Sequence, residues 1–224
     1  MPRRQGLRLY LLRHGEVTSH RGDVPITADA QQKAFHAGQV FGRQQSGAIL
    51  ILSGETRRAI DTAAGMAKGV TDVGGRVLGP QVAFALRNPD LYVAGTRVNM
   101  VSSAASLAAQ VDGLSPDEVA KLDFFPEFFA SSDRIGWWLT HDSPPGETAA
   151  ALAARVRSFA ASLTDAIPGD PELVVAVTHS PLLRAVGLDL LGHDIGEPAW
   201  ISGLLIEVVP DGVMTGDVFD GEPG

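Results

Sequence analysis

The 224 residues include no cysteine. Disulfides, thiolate metal sites and cysteine nucleophiles are therefore excluded. No apolar run approaches the ~18 residues that a membrane span needs. The run after the basic start, Leu7 to Leu12, is broken by Arg8 and stops at Arg13-His14. It is too short for the apolar region of a secretory signal, and no small-residue cleavage site follows it. Positive charge is also scarce: 18 Lys and Arg stand against 26 Asp and Glu, a formal charge of −8. Neutralising nucleic-acid phosphates takes clustered Lys and Arg, so nucleic acid is not an expected partner. A cytoplasmic protein that engages no membrane is the resulting expectation.

What the chain does contain is ordinary globular material, 45% hydrophobic and 20% charged residues. That composition excludes a disordered chain, a collagen and a coiled coil. The length suits one domain over 1–224, large enough to bury a core without staples. Apolar runs rich in Leu, Ile and Val alternate with helix-period stretches. Leu7–Leu12, Ala48–Leu52, Leu173–Thr178 and Gly203–Val208 read as strands, and Gln81–Leu86 as a weaker fifth. Nearly continuous apolar strands suit a sheet covered on both faces. A helix begins near Ala28 and carries Ala34, Ala37 and Phe41 on one face; Ile60, Ala63, Ala64 and Ala67 make a second stripe. Leu152, Val156, Phe159 and Leu163 give a third helix, and Leu183, Val186 and Leu190 a fourth. The pattern predicts a three-layer α/β sandwich: a mostly parallel central sheet with helices on both faces.

The stretch from about 88 to 146 is different. It shows no good strand, and 98–111 and 116–122 look helical. Six of the chain's fourteen aromatics fall between Phe124 and Trp138. This is the pattern of a helical insertion that packs on the sheet edge or forms an apolar lid over a pocket; a second part of the core explains each aromatic equally well. The insertion carries Arg97, Lys121 and Arg134 against eight Asp and Glu, so it favours a hydrophobic or modestly charged ligand.

Three segments that follow strands carry groups suited to chemistry. Arg13-His14-Gly15-Glu16 comes directly after the first strand, where open α/β sheets bind ligands. Arg supplies a permanent planar fork for phosphate, and Gly allows close approach of the backbone. The segment Ser53-Gly54-Glu55-Thr56-Arg57-Arg58 puts two arginines into the first turn of a helix. Cations there oppose the helix dipole unless an anion binds beside them. Finally, His179 ends the strand Leu173–Thr178, and Pro181 opens the next helix.

Together these segments resemble the histidine phosphatase superfamily, the fold of cofactor-dependent phosphoglycerate mutase, in its larger branch with a helical insertion. The resemblance rests on Arg13-His14-Gly15, Arg58-Ala59-Ile60-Asp61-Thr62-Ala63, Gly146-Glu147-Thr148 and His179, with Asp23-Val24-Pro25-Ile26-Thr27 as a further segment. It covers roughly residues 7–90 and 143–209. It implies that His14 is the nucleophile that becomes phosphohistidine and that Arg13, Arg58 and His179 bind the phosphoryl oxygens. A neutral imidazole then attacks phosphorus, and cationic groups take the part that Mg²⁺ plays in other phosphoryl-transfer sites, so no metal and no cofactor are expected.

The sequence departs from that pattern in places. Ser53-Gly54-Glu55 replaces the usual Ser-Ser-Pro and brings a carboxylate near the phosphate site, and Ala30 replaces a usual Gly. Where the family carries its proton-donating Glu, this chain has Asn88. Asp90, two residues on, is the nearest carboxyl and the expected catalytic acid. Glu147 is read as a helix N-terminal carboxylate that orients a catalytic His. His20 and Arg21, in the loop after His14, are candidates for substrate contact. The expected activity is hydrolysis of a small phosphate monoester by a monomer or homodimer. Two alternatives remain open: a phosphoglycerate mutase, and a phosphoryl- or protein-binding relative that lost its acid at Asn88.

Overall fold

The computed structural model describes residues 6–19, 22–165, 171, 173–209 and 213–221; His20 and Arg21 lie outside them. Alternation along the strands divides the core in two. In β1 (Leu7–Arg13), Leu9 and Leu11 face one side of the sheet and Tyr10 and Leu12 the other, and all four are buried. β2 (Ile49–Ser53) and β6 (Leu173–Thr178) are buried along their whole length. With β3 (Val77–Val82), β7 (Gly203–Val208) and β8 (Met214–Phe219) they form a six-stranded sheet in the order β3-β2-β6-β1-β7-β8. The pairs β3–β2, β2–β6 and β6–β1 are parallel; β7 and β8 are antiparallel to their neighbours.

On one face α1 (Ala28–Gln44) and α2 (Arg57–Asp72) cover Tyr10, Leu12, Ile49, Ile51, Val175 and Val177 with Phe41, Met66 and a row of alanines. These two helices meet backbone to backbone. A Cβ on Gly69 would lie 1.9 Å from the Phe35 carbonyl oxygen, and one on Gly38 would lie 2.1 Å from that of Met66. On the other face α7 (Ala149–Ser162) and α8 (Ser180–Leu191) pack Leu152, Val156, Leu182 and Ala185 against Leu9, Leu11, Val174 and Ala176. The three-layer sandwich expected from the sequence is the architecture observed.

Between β3 and α7 the chain makes a short 3₁₀ turn (Phe84–Leu86) and a hairpin of β4 (Leu91–Val93) and β5 (Thr96–Val98). Four short helices follow: α3 (Ala104–Ala108), α4 (Pro116–Val119), α5 (Phe125–Ala130) and α6 (Arg134–Leu139). The hairpin corrects the expectation that this stretch holds no strand, and the helix read over 98–111 shrinks to five residues. Ser103 caps α3 through its side chain, which ends helical geometry on the N-terminal side there. The aromatics are chiefly core: Phe124, Phe125, Phe128 and Trp138 are buried in the same cluster as the sheet residues. Trp138 is fully buried, and its indole N–H donates to the Glu147 carbonyl at 3.1 Å.

Two more differences concern strands. The weak fifth strand lies over 77–82 rather than 81–86; Gly79-Pro80 interrupts its apolar pattern, and an edge position accommodates the proline. β8 escaped the sequence reading because Met-Thr-Gly-Asp-Val-Phe at the opposite edge buries only Phe219. In α2, Ala63 and Ala67 are buried while Ile60 is exposed, so the stripe is narrower than its spacing suggested.

Candidate active site

Three parallel strands end at one edge of the sheet, and each passes its next residues into the same place. β1 ends at Arg13, β2 at Ser53 and β6 at Thr178. The His14 N–H donates to the Thr178 carbonyl at 3.0 Å, and the Gly54 N–H to that of Val177 at 2.8 Å. Arg58 is the second residue of α2, and His179 is the N-cap of α8. The polar groups Arg13, His14 and His179 are buried here despite their cost in low dielectric. With Arg58 and Asn88 they line a cavity of about 710 Å³, whose far wall comes from the insertion: Met100, Val101, Phe128, Ser132, Asp133, Arg134 and Ile135.

The imidazole of His14 is oriented by its neighbours. Its Nδ1 lies 2.8 Å from the Gly15 carbonyl oxygen, an acceptor only, so Nδ1 carries the proton. Nε2 then presents its lone pair, and Arg58 Nε donates to it at 3.1 Å. The His179 ring stands 5.2 Å from that of His14, centroid to centroid. Its Nε2 is 3.2 Å from the Thr56 hydroxyl, and its Nδ1 is buried without a hydrogen-bond partner. Burial first, then the positive charge of Arg58, pushes the His179 pKa well below the usual histidine range. Both effects favour the neutral form of His179.

Arg13 is held from behind. One terminal nitrogen donates to the Pro198 carbonyl at 2.6 Å, the other pairs with Glu197 at 2.7 Å, and the guanidinium carbon sits 3.6 Å from the centre of the Trp200 ring. Its Nε is buried without a partner. Burial lowers the pKa of both Arg13 and Arg58 from the usual arginine value; for Arg13, Glu197 opposes the shift, and for Arg58, Asp23 does. Glu197, Pro198 and Trp200 belong to no motif, so nothing in the residue pattern singles them out. Arg57, in contrast, points away: its side chain is 61% exposed and pairs with Asp61.

Thr62 explains why an Arg-Ala-x-x-Thr spacing matters. One turn beyond Arg58, its hydroxyl donates to the Arg58 carbonyl at 2.7 Å and accepts from the Gly15 N–H at 2.9 Å. It therefore fastens the His14 loop to the helix that bears Arg58. Thr62→Val keeps the shape and leaves the buried Gly15 N–H unsatisfied. The expected result is a loss of about 1–3 kcal/mol in denaturant unfolding, with Thr62→Ser near wild type. Equal stability of all three would show that the hydroxyl has no such role.

Asp90 requires a correction. Its carboxylate is clamped by Arg87 and Arg97, and these contacts hold its pKa below the usual carboxylate value. Asp90 is absent from the cavity wall, while Asn88 is in it. A carboxylate ionised between two arginines is not placed to give up a proton. Glu147 likewise hydrogen-bonds to no histidine among the described residues: it accepts from the Asp90 N–H at 2.8 Å and from Arg155 at 3.0 Å. Arg155 in turn donates to the carbonyls of Ala85 and Arg87, so this pair fixes the segment that delivers Asn88. The Glu55 carboxylate is answered by Arg97, with both terminal nitrogens at 2.9 Å.

A family model described as histidine phosphatase superfamily (branch 1) matches residues 9–74 and 110–207, well over half of the chain. The chain belongs to that superfamily. Among solved structures, it is similar to a mycobacterial glucosyl-3-phosphoglycerate phosphatase at 21% identity and a TM-score of 0.61, covering 97% of this chain and 100% of that one. It is also similar to a putative α-ribazole-5'-phosphate phosphatase from Escherichia coli (18% identity, TM-score 0.57, 97% and 98% covered). A phosphoglycerate mutase from Bacillus anthracis gives 19% identity and a TM-score of 0.56, with 96% and 93% covered. At these identities the likeness is one of fold. A comparison with curated proteins returned no match. Membership of this superfamily supports a hydrolase of the histidine-phosphatase type acting on phosphate esters. Among the described residues, no helix is long and apolar enough to cross a membrane, and no group of three or more His, Asp or Glu is gathered as a metal would need.

Proposed function

We propose that the protein is a phosphomonoesterase that transfers the phosphoryl group of a small ester to His14 and then hydrolyses the phosphohistidine. The observation that carries this reading is the His14 imidazole, with its proton fixed on Nδ1 and Arg58 on Nε2, in the wall of a cavity. In this reading Nε2 attacks phosphorus as Arg58 turns its N–H from the imidazole to a phosphoryl oxygen. Arg13 and His179 face the same group and neutralise the charge on its other oxygens. An arriving phosphate dianion also offsets the effect of Arg58 on His179, raising its pKa and favouring a protonated, donating ring. Water then attacks phosphorus on the side that the leaving group has vacated, and the P–N electron pair returns to Nε2.

The test is turnover of p-nitrophenyl phosphate with and without EDTA and vanadate. Activity that ignores EDTA and is inhibited by vanadate is expected, because vanadate adopts the five-coordinate shape of the transferring group. Activity lost on chelation and restored by a divalent ion would overturn this use of His14 and His179. No turnover at any pH would favour a binding protein.

A further inference from the structure

Among the described residues, no carboxyl group of the cavity wall is free to serve as proton donor to the leaving oxygen, and His179 is assigned above to the phosphoryl oxygens. The wall's two carboxylates are both engaged. Asp133 is bound by Arg184, which holds its pKa down to about 2, and the two oxygens of Glu197 accept from Arg13 and Ser180. Asp90, outside the wall, is tied to Arg87 and Arg97. The segment after the 3₁₀ turn delivers Asn88 instead, 8% exposed, with its side-chain oxygen buried and unpartnered. An amide orients a hydrogen bond but transfers no proton.

The same wall carries a cation to spare. Arg134, the first residue of α6, lines the cavity and has no ion pair among the described residues. The other insertion-side arginine near the site, Arg97, is consumed by Glu55 and Asp90. Arg184, though in the wall, is saturated by Asp133 and Asp194.

We infer that the site is matched to phosphates of acidic hydroxyl groups — phenols, enols and carboxylic acids — whose leaving oxygen departs as an anion that Arg134 receives. The inference rests on the phosphatase reading above and narrows its substrate class. In the first step the Nε2–P bond forms and the P–O bond breaks, its electron pair staying on the departing oxygen; no proton moves. In the second, the water oxygen bonds to phosphorus, the P–N pair returns to Nε2, and the water's proton passes to the phosphate or to solvent. An alkyl phosphate lacks this route, because its alkoxide needs a proton as it leaves.

The experiment is a leaving-group series: acetyl, p-nitrophenyl, phenyl and ethyl phosphate, with wild type and Asn88→Glu. For wild type, kcat/KM should drop by about 10²-fold or more from p-nitrophenyl to ethyl phosphate, the lower range of what a general acid supplies. Asn88→Glu should raise ethyl phosphate turnover by about as much and change p-nitrophenyl phosphate by less than about tenfold. Arg134→Ala should lower acetyl phosphate turnover by about tenfold, the lower range for a hydrogen bond to a charged group. Ethyl phosphate turned over as fast as p-nitrophenyl phosphate would overturn the inference and leave the phosphatase standing. No turnover of any member would overturn the phosphatase reading itself. An unchanged Arg134→Ala would refute its part. If Asn88→Glu fails to fold by circular dichroism, the wild-type series decides alone.

Discussion

His14→Ala is expected to lower kcat on p-nitrophenyl phosphate by at least about 10³-fold, judged by what nucleophile removal does in other covalent enzymes. The proposed phosphate-binding groups would remain, since Arg13 is held by Glu197 and Pro198 and His179 by Thr56, while Arg58 loses its hydrogen bond to His14 but keeps its place in α2. Binding of inorganic phosphate should therefore survive while chemistry fails. Folding should survive as well. The backbone bond from the His14 N–H to Thr178 is independent of the side chain, and the ring's own contacts to Gly15 and Arg58 lie at the cavity rather than in the sheet. Circular dichroism melting and phosphate titration beside the rate measurement separate these outcomes. Activity above one tenth of wild type, at unchanged fold, would remove His14 from the role of nucleophile.

Arg58→Ala should reduce kcat/KM by about 10²–10³-fold, the loss expected when one preorganised donor to a developing anion is deleted. Arg57→Ala should change it by no more than about threefold, as for an exposed ion pair worth under a kcal/mol. The two residues are neighbours with the same side chain, so composition and net charge change identically in both variants. Only direction differs. Successive helix positions diverge by about 100°, which sends Arg58 to His14 and Arg57 to solvent and Asp61. Steady-state kinetics on the two proteins decides the matter, and equal effects would mean that long-range charge, not contact, is what the site uses.

The strands of the sheet's middle were legible because they are buried on both faces and therefore carry unbroken runs of Leu, Ile and Val. The edges were not. β8 shows water most of its side chains and has no run to read, and β3 carries a Gly-Pro pair where the pattern needs apolar residues. That Arg13, His14, Arg58 and His179 would gather at one cavity was legible for a similar reason: they follow strands directly, so position in the chain fixes position in space. Asp90 illustrates the limit. Sequence proximity to Asn88 put a carboxyl within reach of the site, but its charge is satisfied by Arg87, three residues earlier, and by Arg97, seven residues on across a hairpin turn the pattern did not reveal. Glu197 and Trp200 were invisible for the complementary reason. Their partner, Arg13, lies more than 180 residues earlier in the chain, and no spacing rule reaches that far.

The contact of α1 and α2 through Gly38 and Gly69 makes a mechanical stop. Two backbones already touching leave α2 no room to roll or slide, so the helix behaves as a rod pinned along its length with Arg58 at its tip. Gly69 stands about 16 Å along that rod from Arg58, at 1.5 Å per residue. A single methyl group added there must push the rod aside, and the tip moves with it. Displacements near 1 Å at a reacting centre cost on the order of 10²-fold in rate. A change wholly outside the cavity, in a protein that remains folded, would then be felt as lost catalysis: the leverage of a rigid arm, with its fulcrum at a pair of glycines.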